Sequence, residues 1–425
     1  MNVVDSEVVA AILQQRQYQL TEDIHEADLI LVNTCSIRDN AEQRVWSRLR
    51  ELRKIKKKEK PVSVGVIGCM AERLKEKLLE EETVVDLVVG PDAYRDLPAL
   101  LEEVESGQKG INTLLSLEET YGDIRPVRMD RNHVTSFVAI MRGCNNYCAY
   151  CVVPGTRGRE RSRDPETILR EAKDLFSKGY RELTLLGQNV NSYLWKEGEN
   201  QLKFEKLLER VAEIDPKFRV RFATSHPKDL SDELLQVMAK SPNLCRSIHL
   251  PVQSGSSTVL DRMKRRYTRE HYMDRVSAIR KYLPDATIST DIIAGFCGET
   301  EEEHQETLSL MRWADYDFAY MFKYSERPDT FAAEKLQDDV PEALKTRRLN
   351  EIITLQSELS LASKKRDVGQ TFEVLVEGTS KKSQEHLYGR TSQNKVVVFP
   401  KKDLKPGDYV DIRITDCTSA TLIGS

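Results

Sequence analysis

Short apolar runs alternate with amphipathic stretches along most of this chain, and this alternation constrains the fold more than any other feature of the sequence. Within the first 115 residues the predicted strands are residues 28–33, 62–67 and 85–89, and the predicted helices are residues 71–82 and 97–104. Strands that alternate with helices in this way predict a parallel sheet with helices packed on it. We therefore expect an α/β domain over residues 1–115.

A second α/β series follows a polar linker around residues 107–132. Its predicted strands are residues 137–141, 183–186, 220–223, 248–251, 288–293 and 318–322, and its predicted helices are residues 165–177, 204–214, 232–239, 269–282 and 301–313. Six strand–helix units predict a partial (βα)6 barrel over residues 130–358. Barrels of this kind carry their chemistry on the loops that follow the strands.

The pattern changes again from about residue 361. Short alternating strands with turns and no helices between them are predicted at residues 371–377, 387–391, 396–399 and 409–415. They indicate a small all-β barrel or sandwich over residues 361–425, in which eleven Lys or Arg residues stand against eight acidic ones. The expected fold class is thus α/β, with an N-terminal parallel-sheet domain, a central partial barrel and a C-terminal all-β module.

The composition argues against a membrane protein and against export. Charged residues make up 31% of the chain, and no apolar run reaches the roughly eighteen residues that are needed to cross a bilayer. The N-terminus lacks the basic segment and apolar core of a secretory signal. We expect a soluble, monomeric, cytoplasmic protein with no membrane partner.

Positive charge is concentrated in two places, although the net charge is −4. Residues 38–60 contain ten Lys or Arg residues against four acidic ones, which fits either a solvated helix face or a surface for nucleic acid. A second basic run, Arg157, Arg159, Arg161 and Arg163, follows directly behind a group of cysteines. Because a polyanionic substrate would have to arrive there, we predict that these four arginines bind RNA.

Three cysteines in one short segment are the strongest chemical signal in the sequence. Cys144, Cys148 and Cys151 follow the strand that ends at Met141, with the spacing C-x3-C-x2-C. Three thiolates on one loop can hold three corners of a [4Fe–4S] cluster and leave the fourth iron open as a reaction site. A zinc site with His133 as the fourth ligand and coincidental burial are the alternatives at this point.

This spacing after the first barrel strand resembles the hallmark of the radical S-adenosylmethionine enzymes. The resemblance implies that S-adenosylmethionine chelates the open iron, and that one electron from the cluster cleaves its sulfonium to give a 5′-deoxyadenosyl radical. The protein would supply orientation and exclude competing reactions. An external electron donor is implied as a partner.

Further motifs resemble one branch of that superfamily, the methylthiotransferases. They are CVVPGTRG (residues 151–158), LLGQNVN (185–191), HLPVQSGS (249–256), DIIAGF (291–296), NTCS around Cys35 and GCMA around Cys69. The C-terminal module is similar to the RNA-binding TRAM domain. The resemblance covers nearly the whole chain and is strongest for the bacterial branch that adds a methylthio group to C2 of N6-isopentenyladenosine beside the anticodon. It implies tRNA as the substrate.

The same resemblance assigns Cys35 and Cys69 to a second, auxiliary [4Fe–4S] cluster that delivers the sulfur. Both cysteines follow predicted strands, where open α/β sheets bind ligands, and simple burial is the alternative. In the family a third ligand comes from the end of the domain's first strand, but this sequence has no cysteine before Cys35. We therefore expect roughly twenty or more residues ahead of Met1, enough for one strand and its turn, with a cysteine among them.

Polar side chains at the ends of the barrel strands are the predicted cofactor-binding residues, namely Gln188, Asn189, Thr224, Ser225, Gln253 and Asp291. A role in closing the barrel is the alternative for each of them. No side chain is assigned as a catalytic acid or base, because the C2 hydrogen of adenine is not acidic and a radical offers the better route to replacing it. The cysteines without ligand spacing, Cys245, Cys297 and Cys417, are expected in the core.

Two related activities and one unrelated class compete with this interpretation. Methylthiotransferases also act on an aspartate of a ribosomal protein and on threonylcarbamoyladenosine in tRNA. Residues 152–158 and 187–191 favour the isopentenyladenosine type. A non-catalytic iron–sulfur electron carrier or an RNA-binding module is disfavoured by six strands arranged around an open cluster.

Overall fold

The computed structural model describes residues 1–34, 39–58, 62–130 and 132–425, and the side chains of residues 39–41 and 57–58 fall outside this description. The N-terminal part contains α1 (Asn2–Gln14), β1 (Leu29–Thr34), α2 (Asp39–Lys58), β2 (Ser63–Gly68), α3 (Cys69–Leu74), α4 (Glu76–Glu81), β3 (Leu87–Val89), α5 (Leu97–Glu105) and β4 (Gly110–Asn112). The central part contains β5 (Thr135–Ala139), β6 (Met141–Arg142), α6 (Val153–Arg157), β7 (Arg161–Ser162), α7 (Pro165–Ser177), β8 (Glu182–Leu186), β9 (Leu194–Glu197), β10 (Asn200–Lys203), α8 (Phe204–Ala212), β11 (Arg219–Ala223), α9 (Asp232–Lys240), β12 (Ser247–His249), α10 (Ser257–Arg262), α11 (Arg269–Tyr282), β13 (Thr287–Ala294), α12 (Glu301–Ala314) and β14 (Phe318–Lys323). The C-terminal part contains α13 (Phe331–Lys335), α14 (Glu342–Asp367), β15 (Thr371–Thr379), β16 (His386–Thr391), β17 (Val396–Pro400), β18 (Tyr409–Cys417) and β19 (Leu422–Gly424).

The chain divides into two compact units. The first unit contains Met1–Met129, Met141–Arg163 and Arg327–Thr330, and the second contains Asp130–Ile140, Asp164–Glu326 and Phe331–Ser425. The three-cysteine segment lies within Met141–Arg163. It therefore belongs to the same unit as the N-terminal sheet.

Helices cover both faces of the four-stranded sheet in the first unit. All of its strands are parallel, in the order β1-β2-β3-β4. Side chains of β3 alternate between the faces: Leu87 and Val89 pack with α1 and α5, whereas Val88 packs with α2, α3 and α4. Because both faces are buried, the strands are nearly continuous apolar runs, and the predictions of β1, β2 and β3 are confirmed.

Part of the predicted linker packs into this unit instead of connecting two domains. Tyr121 and Ile124 are buried in the apolar cluster of α1 and α5. The Tyr121 hydroxyl accepts a hydrogen bond from the Tyr94 amide and donates one to the Pro91 carbonyl, each of 3.1 Å. The prediction of a linker over residues 107–132 is therefore wrong around Tyr121, because its ring fills the core although its neighbours in sequence are polar.

Buried ion pairs hold the segment Met141–Arg163 against α1 and the loop after β3. The Asp5 carboxylate accepts hydrogen bonds from Arg142 Nη1 (2.9 Å) and Arg157 Nη2 (2.6 Å). Asp92 accepts two hydrogen bonds of 2.9 Å from Arg161 Nη2. All five side chains are more than nine-tenths buried, so each charge depends on its partners for compensation.

Six parallel strands form an open arc in the second unit. The strands pair in two groups, β11-β8-β5 and β12-β13-β14, and an isolated parallel bridge joins Val220 in β11 to Leu244 just before β12. The six predicted barrel strands and the five predicted helices between them are confirmed to within two residues at each end. The β9–β10 hairpin and α10 were not predicted, because each is too short to establish a period.

A closed five-stranded barrel forms the C-terminal end of the second unit, so the predicted all-β module is confirmed. Its strand order is β15-β16-β17-β19-β18. Two arginines of β11 anchor it: Arg219 Nη1 donates to the Arg390 carbonyl (2.8 Å), and Arg221 Nη2 donates to the Thr391 carbonyl (2.7 Å). Both arginines are buried, so they contribute to packing between the two parts of this unit and are withheld from solvent.

The predicted start of that module at residue 361 is wrong, because residues 361–367 complete α14. The buried face of α14 includes polar side chains: Gln356 Nε2 donates to the Tyr316 carbonyl (3.0 Å), and Ser360 Oγ donates to the Asp317 carbonyl (2.9 Å). Because polar residues interrupt the apolar ones along this face, the sequence pattern does not predict the helix. Neither α14 nor any other described helix is long and apolar enough to cross a membrane.

We predict that Asp5→Asn destabilises the chain by about 3–5 kcal/mol at neutral pH, because it leaves the buried guanidinium of Arg157 without a carboxylate and that of Arg142 with Asp92 alone. Burial opposes ionisation of Asp5, but Arg157 and Arg142 lower its pKa from 3.8 to about 2. A lowered folded-state pKa means that the stabilisation is complete above about pH 4 and is lost as the pH falls towards 2. The free energies of unfolding of the variant and the wild type, measured with urea, should therefore converge as the pH falls from about 4 towards 2.

The matched control is Asp123→Asn, which removes an exposed carboxylate that also pairs with an arginine, Arg95. Exposed pairs contribute about 0–1 kcal/mol, so this variant should unfold close to wild type. Equal unfolding free energies for the Asp5 and Asp123 variants would contradict the role assigned to the buried pairs.

Candidate active site

The three cysteines lie on a loop that a short antiparallel ladder closes. Strands β6 and β7 pair Met141 with Ser162 and Arg142 with Arg161. Residues 143–160 therefore leave and return at the same point of the first unit. The amide of Asn145 donates to Glu160 Oε1 (3.1 Å), and the amide of Glu160 donates to Asn145 Oδ1 (3.2 Å). These reciprocal bonds fix the base of the loop.

Gly143 makes the turn into this loop possible. Its φ is +75°, and a Cβ at this position would lie 1.9 Å from the Arg159 carbonyl oxygen. The next amide, that of Cys144, donates to the Gly158 carbonyl (3.1 Å). Only glycine allows the two ends of the loop to approach this closely.

The cysteines themselves present the donor set of a three-ligand cluster. Cys148 is buried, Cys144 and Cys151 are half-buried, and no disulfide joins any of the described cysteines. The Cys151 amide donates to the Cys148 carbonyl (3.0 Å), which turns the chain between these two ligands. Tyr147 has a φ of +50°, a strained value that is common at functional sites. Three thiols on one closed loop fit a [4Fe–4S] cluster with one open iron.

Cys69 lies at the carboxyl edge of the N-terminal sheet, as predicted. It follows Gly68, whose register partner is Thr34 at the end of β1. The Thr34 hydroxyl donates to the Ile67 carbonyl (2.8 Å) and accepts from the Met70 amide (3.2 Å), so the two strand ends are tied together. Cys69 is buried beside Arg157, and the Nε–Sγ distance is 3.2 Å. Cys35 lies outside the described residues.

The predicted RNA-binding run is corrected by burial. Arg157 and Arg161 point inward to the aspartates described above, and Arg163 Nη2 donates to the Gly122 carbonyl (3.3 Å). These three residues are 3%, 6% and 6% exposed. Only Arg159 of the four is exposed. The prediction that these arginines bind RNA is therefore wrong for Arg157, Arg161 and Arg163, which instead fix the cysteine loop to its own unit.

Polar residues gather at the ends of β8 and β11 in the second unit. Gln188 Oε1, Asn189 Oδ1, Ser225 Oγ and both amide atoms of Asn191 are buried without a hydrogen-bond partner among the described residues. Buried polar atoms are rarely left unpaired in proteins, so these atoms are available to hydrogen-bond a polar ligand or ordered water. Thr224 has a φ of +74°, which is an outlier for a β-branched residue. The predicted residues Gln188, Asn189, Thr224 and Ser225 thus share one strained, polar region.

His226 belongs to the same region and was not predicted. Burial, with Arg265 nearby, lowers its pKa to about 2, so the ring is neutral. The Lys228 amide donates to His226 Nδ1 (3.3 Å), which leaves the ring proton on Nε2. Nε2 has no partner among the described residues, so it is a buried donor available to a ligand. No sequence pattern distinguishes this histidine from one in a core.

Gln253 and Asp291 meet where the β12 segment joins β13. Gln253 has a φ of +73°, and its amide donates to the Asp291 carbonyl (2.9 Å). The Asp291 carboxylate lies 3.4 Å from His249 Nε2, and Tyr320 packs edge-on to the His249 ring. His249 and Tyr320 were missed, although His249 opens the HLPVQSGS stretch and could have been chosen from it.

The remaining residues of the sequence predictions are distributed as follows. His133, the alternative zinc ligand, lies within 3.4 Å of the Tyr180 hydroxyl through Nδ1. Cys245 and Cys297 are buried as predicted, and Cys417 is half-buried against the core of the C-terminal barrel. None of these residues has ligand geometry among the described side chains.

Three family models match the chain. The radical SAM superfamily matches residues 138–311, the uncharacterized protein family UPF0004 matches residues 1–90, and the TRAM domain matches residues 365–425. A radical S-adenosylmethionine methyltransferase from Kitasatospora setae with cobalamin and a [4Fe–4S] cluster bound has a similar fold, with a TM-score of 0.57 at 14% identity over 78% of this chain and 70% of its own. Fold and site therefore define a radical S-adenosylmethionine enzyme, which uses S-adenosylmethionine and an iron–sulfur cluster.

Full-length relatives define the family more narrowly. A tRNA-2-methylthio-N(6)-dimethylallyladenosine synthase from Phocaeicola vulgatus is 59% identical over 100% of this chain and 93% of its own length. A synthase of the same name from Bacteroides fragilis is 58% identical with the same coverage. The chain belongs to the family of the tRNA-2-methylthio-N(6)-dimethylallyladenosine synthases.

We predict that Gly143→Ala prevents stable cluster binding, because the new Cβ meets the Arg159 carbonyl and the backbone strain costs about 1–3 kcal/mol. Iron per chain after anaerobic reconstitution measures the effect. Gly155→Ala is the control in the same loop, since no atom lies within 4 Å of a Cβ there. Equal iron in the two variants would show that the turn at Gly143 does not position the cysteines.

Proposed function

We propose that this chain adds a methylthio group to C2 of N6-isopentenyladenosine next to the anticodon of tRNA. One S-adenosylmethionine would be the radical source and a second the methyl donor, with sulfur delivered at an auxiliary iron–sulfur cluster. The full-length identity of 59% to a synthase named for this nucleoside carries the proposal. No described feature favours the ribosomal-protein or threonylcarbamoyladenosine alternatives.

Cys144, Cys148 and Cys151 hold the radical-generating [4Fe–4S] cluster in this proposal. When bound, the cluster and S-adenosylmethionine supply one-electron chemistry that can break an unactivated C–H bond. The protein fixes the three thiolates through the β6–β7 ladder and the turn at Gly143. An external electron donor must reduce the site.

The polar residues of the second unit bind S-adenosylmethionine and the target base. Gln188, Asn189, Thr224, Ser225, Gln253 and Asp291 are the proposed cofactor-binding residues. The unpaired buried atoms of Gln188, Asn189 and Ser225 support this assignment, because a bound ligand would remove the cost of leaving them unsatisfied. His226 Nε2 adds a neutral donor to this set.

Cys35 and Cys69 hold the auxiliary cluster in this proposal, which brings the cofactors to two [4Fe–4S] clusters. The edge position and burial of Cys69 support its part.

Exposed lysines of the C-terminal barrel form a basic corner suited to RNA phosphates. The Lys401 amide donates to the Glu385 carbonyl (2.8 Å), so the end of β17 lies beside the turn between β15 and β16. The side chains concerned are exposed, namely Lys381, Lys382, Lys401 and Lys402. This corner replaces the buried arginines as the proposed tRNA surface.

Cys148→Ala should abolish reductive cleavage of S-adenosylmethionine, because two thiolates do not hold the cluster stably. The yield of 5′-deoxyadenosine should fall to background, while iron at the auxiliary site remains. Cys245→Ala, which changes a buried cysteine without ligand spacing, should retain both. Undiminished 5′-deoxyadenosine from the Cys148 variant would refute the assignment of the cluster.

Lys401→Glu with Lys402→Glu should weaken tRNA binding and reduce the slope of log K against log salt by about 1–2, because two phosphate contacts no longer release counterions. Thermal stability should not change, since both side chains are exposed. The control pair is Lys173→Glu with Lys240→Glu, on the outer faces of α7 and α9. A salt slope equal to that of the control pair would exclude this corner from the tRNA surface.

A further inference from the structure

Arg157 joins the cysteine loop to Cys69. It is the last residue of α6, six positions after Cys151, and its side chain is 4% exposed. Nη2 donates to Asp5 (2.6 Å) and Nε lies 3.2 Å from Cys69 Sγ, which is within hydrogen-bond distance for sulfur. The carboxylate thus orients the guanidinium so that one edge faces the thiol.

The third nitrogen of this guanidinium lacks a partner among the described residues. Arg157 Nη1 is buried and makes no hydrogen bond to any described residue. A buried donor left unpaired costs about 1–3 kcal/mol, and more when the group is charged. Nη1 therefore indicates that the full set of partners of this buried cation includes a group that the polypeptide described here does not supply.

The buried charges around Arg157 also indicate that a negative group is missing from this part of the described structure. The buried ion-pair cluster contains three guanidinium groups, those of Arg157, Arg142 and Arg161, against the two carboxylates of Asp5 and Asp92. One positive charge is left without a carboxylate inside this cluster. An anionic group at Cys69 would compensate it, and a metal-bound thiolate is anionic.

We propose that Arg157 is a positioning residue for the auxiliary iron–sulfur cluster: it donates to the Cys69 thiolate through Nε, and so raises the reduction potential of that cluster. The inference rests on the proposed function, in which Cys69 ligates the cluster. Hydrogen bonds to cluster sulfurs stabilise the reduced, more negative state. Because Arg157 belongs to the cysteine loop, it also couples the placement of the two iron sites.

The test uses the full chain with Cys144, Cys148 and Cys151 all changed to Ala, so that the auxiliary cluster is the remaining one. In this background Arg157→Gln is compared with Arg161→Gln, a buried arginine of the same loop that pairs with Asp92 and does not contact Cys69. Both variants lose a buried ion pair, so damage to the fold affects both. The readouts are iron content, the electron paramagnetic resonance spectrum and the midpoint potential.

We expect Arg157→Gln to lower the potential by the equivalent of about a tenfold change in the one-electron equilibrium, about 59 mV, and to shift the spectrum. Arg161→Gln should leave both unchanged, and Arg157→Lys should restore part of the potential. Loss of iron from Arg157→Gln alone, with retention in Arg161→Gln and Arg157→Lys, would also support the positioning role.

Two negative results are distinguishable. If the triple-Ala background binds iron, loses it on Cys69→Ala, and shows the same potential with Arg157→Gln as with Arg161→Gln, the role of Arg157 is refuted while the auxiliary cluster stands. If Cys69→Ala removes no iron from that background, the auxiliary site at Cys69 fails and the proposed sulfur delivery fails with it.

Discussion

The Asp5 carboxylate is the contact on which the arrangement of the first unit depends. It binds one arginine at the start of the cysteine loop, Arg142, and another near its end, Arg157. A helix at the N-terminus and a loop about 140 residues later are thereby held in one unit. Removing one partner of a buried ion pair costs far more folding free energy than replacing both partners with apolar groups. The pairs at Asp5 therefore fix where the loop packs against α1.

The fold could be predicted where burial produces a clear period. The parallel strands are apolar runs because both of their faces are covered, and helices such as α7 begin at a recognisable cap, where Asp164 accepts hydrogen bonds from two amides. The prediction failed where polar groups are buried. Helix α14 packs through Gln356 and Ser360, and Tyr121 fills the core from within a polar stretch, so tertiary hydrogen bonds replaced the apolar pattern.

The residues of the candidate site likewise fall into those that the sequence could identify and those that it could not. The spacing of Cys144, Cys148 and Cys151 identifies them, because one loop must supply all three ligands. The RNA-binding prediction is wrong for Arg157, Arg161 and Arg163, since a sequence gives their charge and spacing but not the buried partners that they meet. The backbone strain at Thr224 and Gln253 arises only in the folded chain, and so does the burial of His226 Nε2 without a partner among the described residues. No local sequence pattern predicts either property.

The most direct test of the central claim is mass spectrometry of nucleosides from tRNA that carries N6-isopentenyladenosine, after incubation with the reconstituted full-length chain, S-adenosylmethionine and a low-potential reductant. The account predicts that this nucleoside is converted to one in which a methylthio group replaces a single hydrogen, and that tRNA without the isopentenyl group is left unchanged. An unmodified nucleoside in a reaction that nevertheless produces 5′-deoxyadenosine, or methylthiolation of threonylcarbamoyladenosine instead, would contradict it.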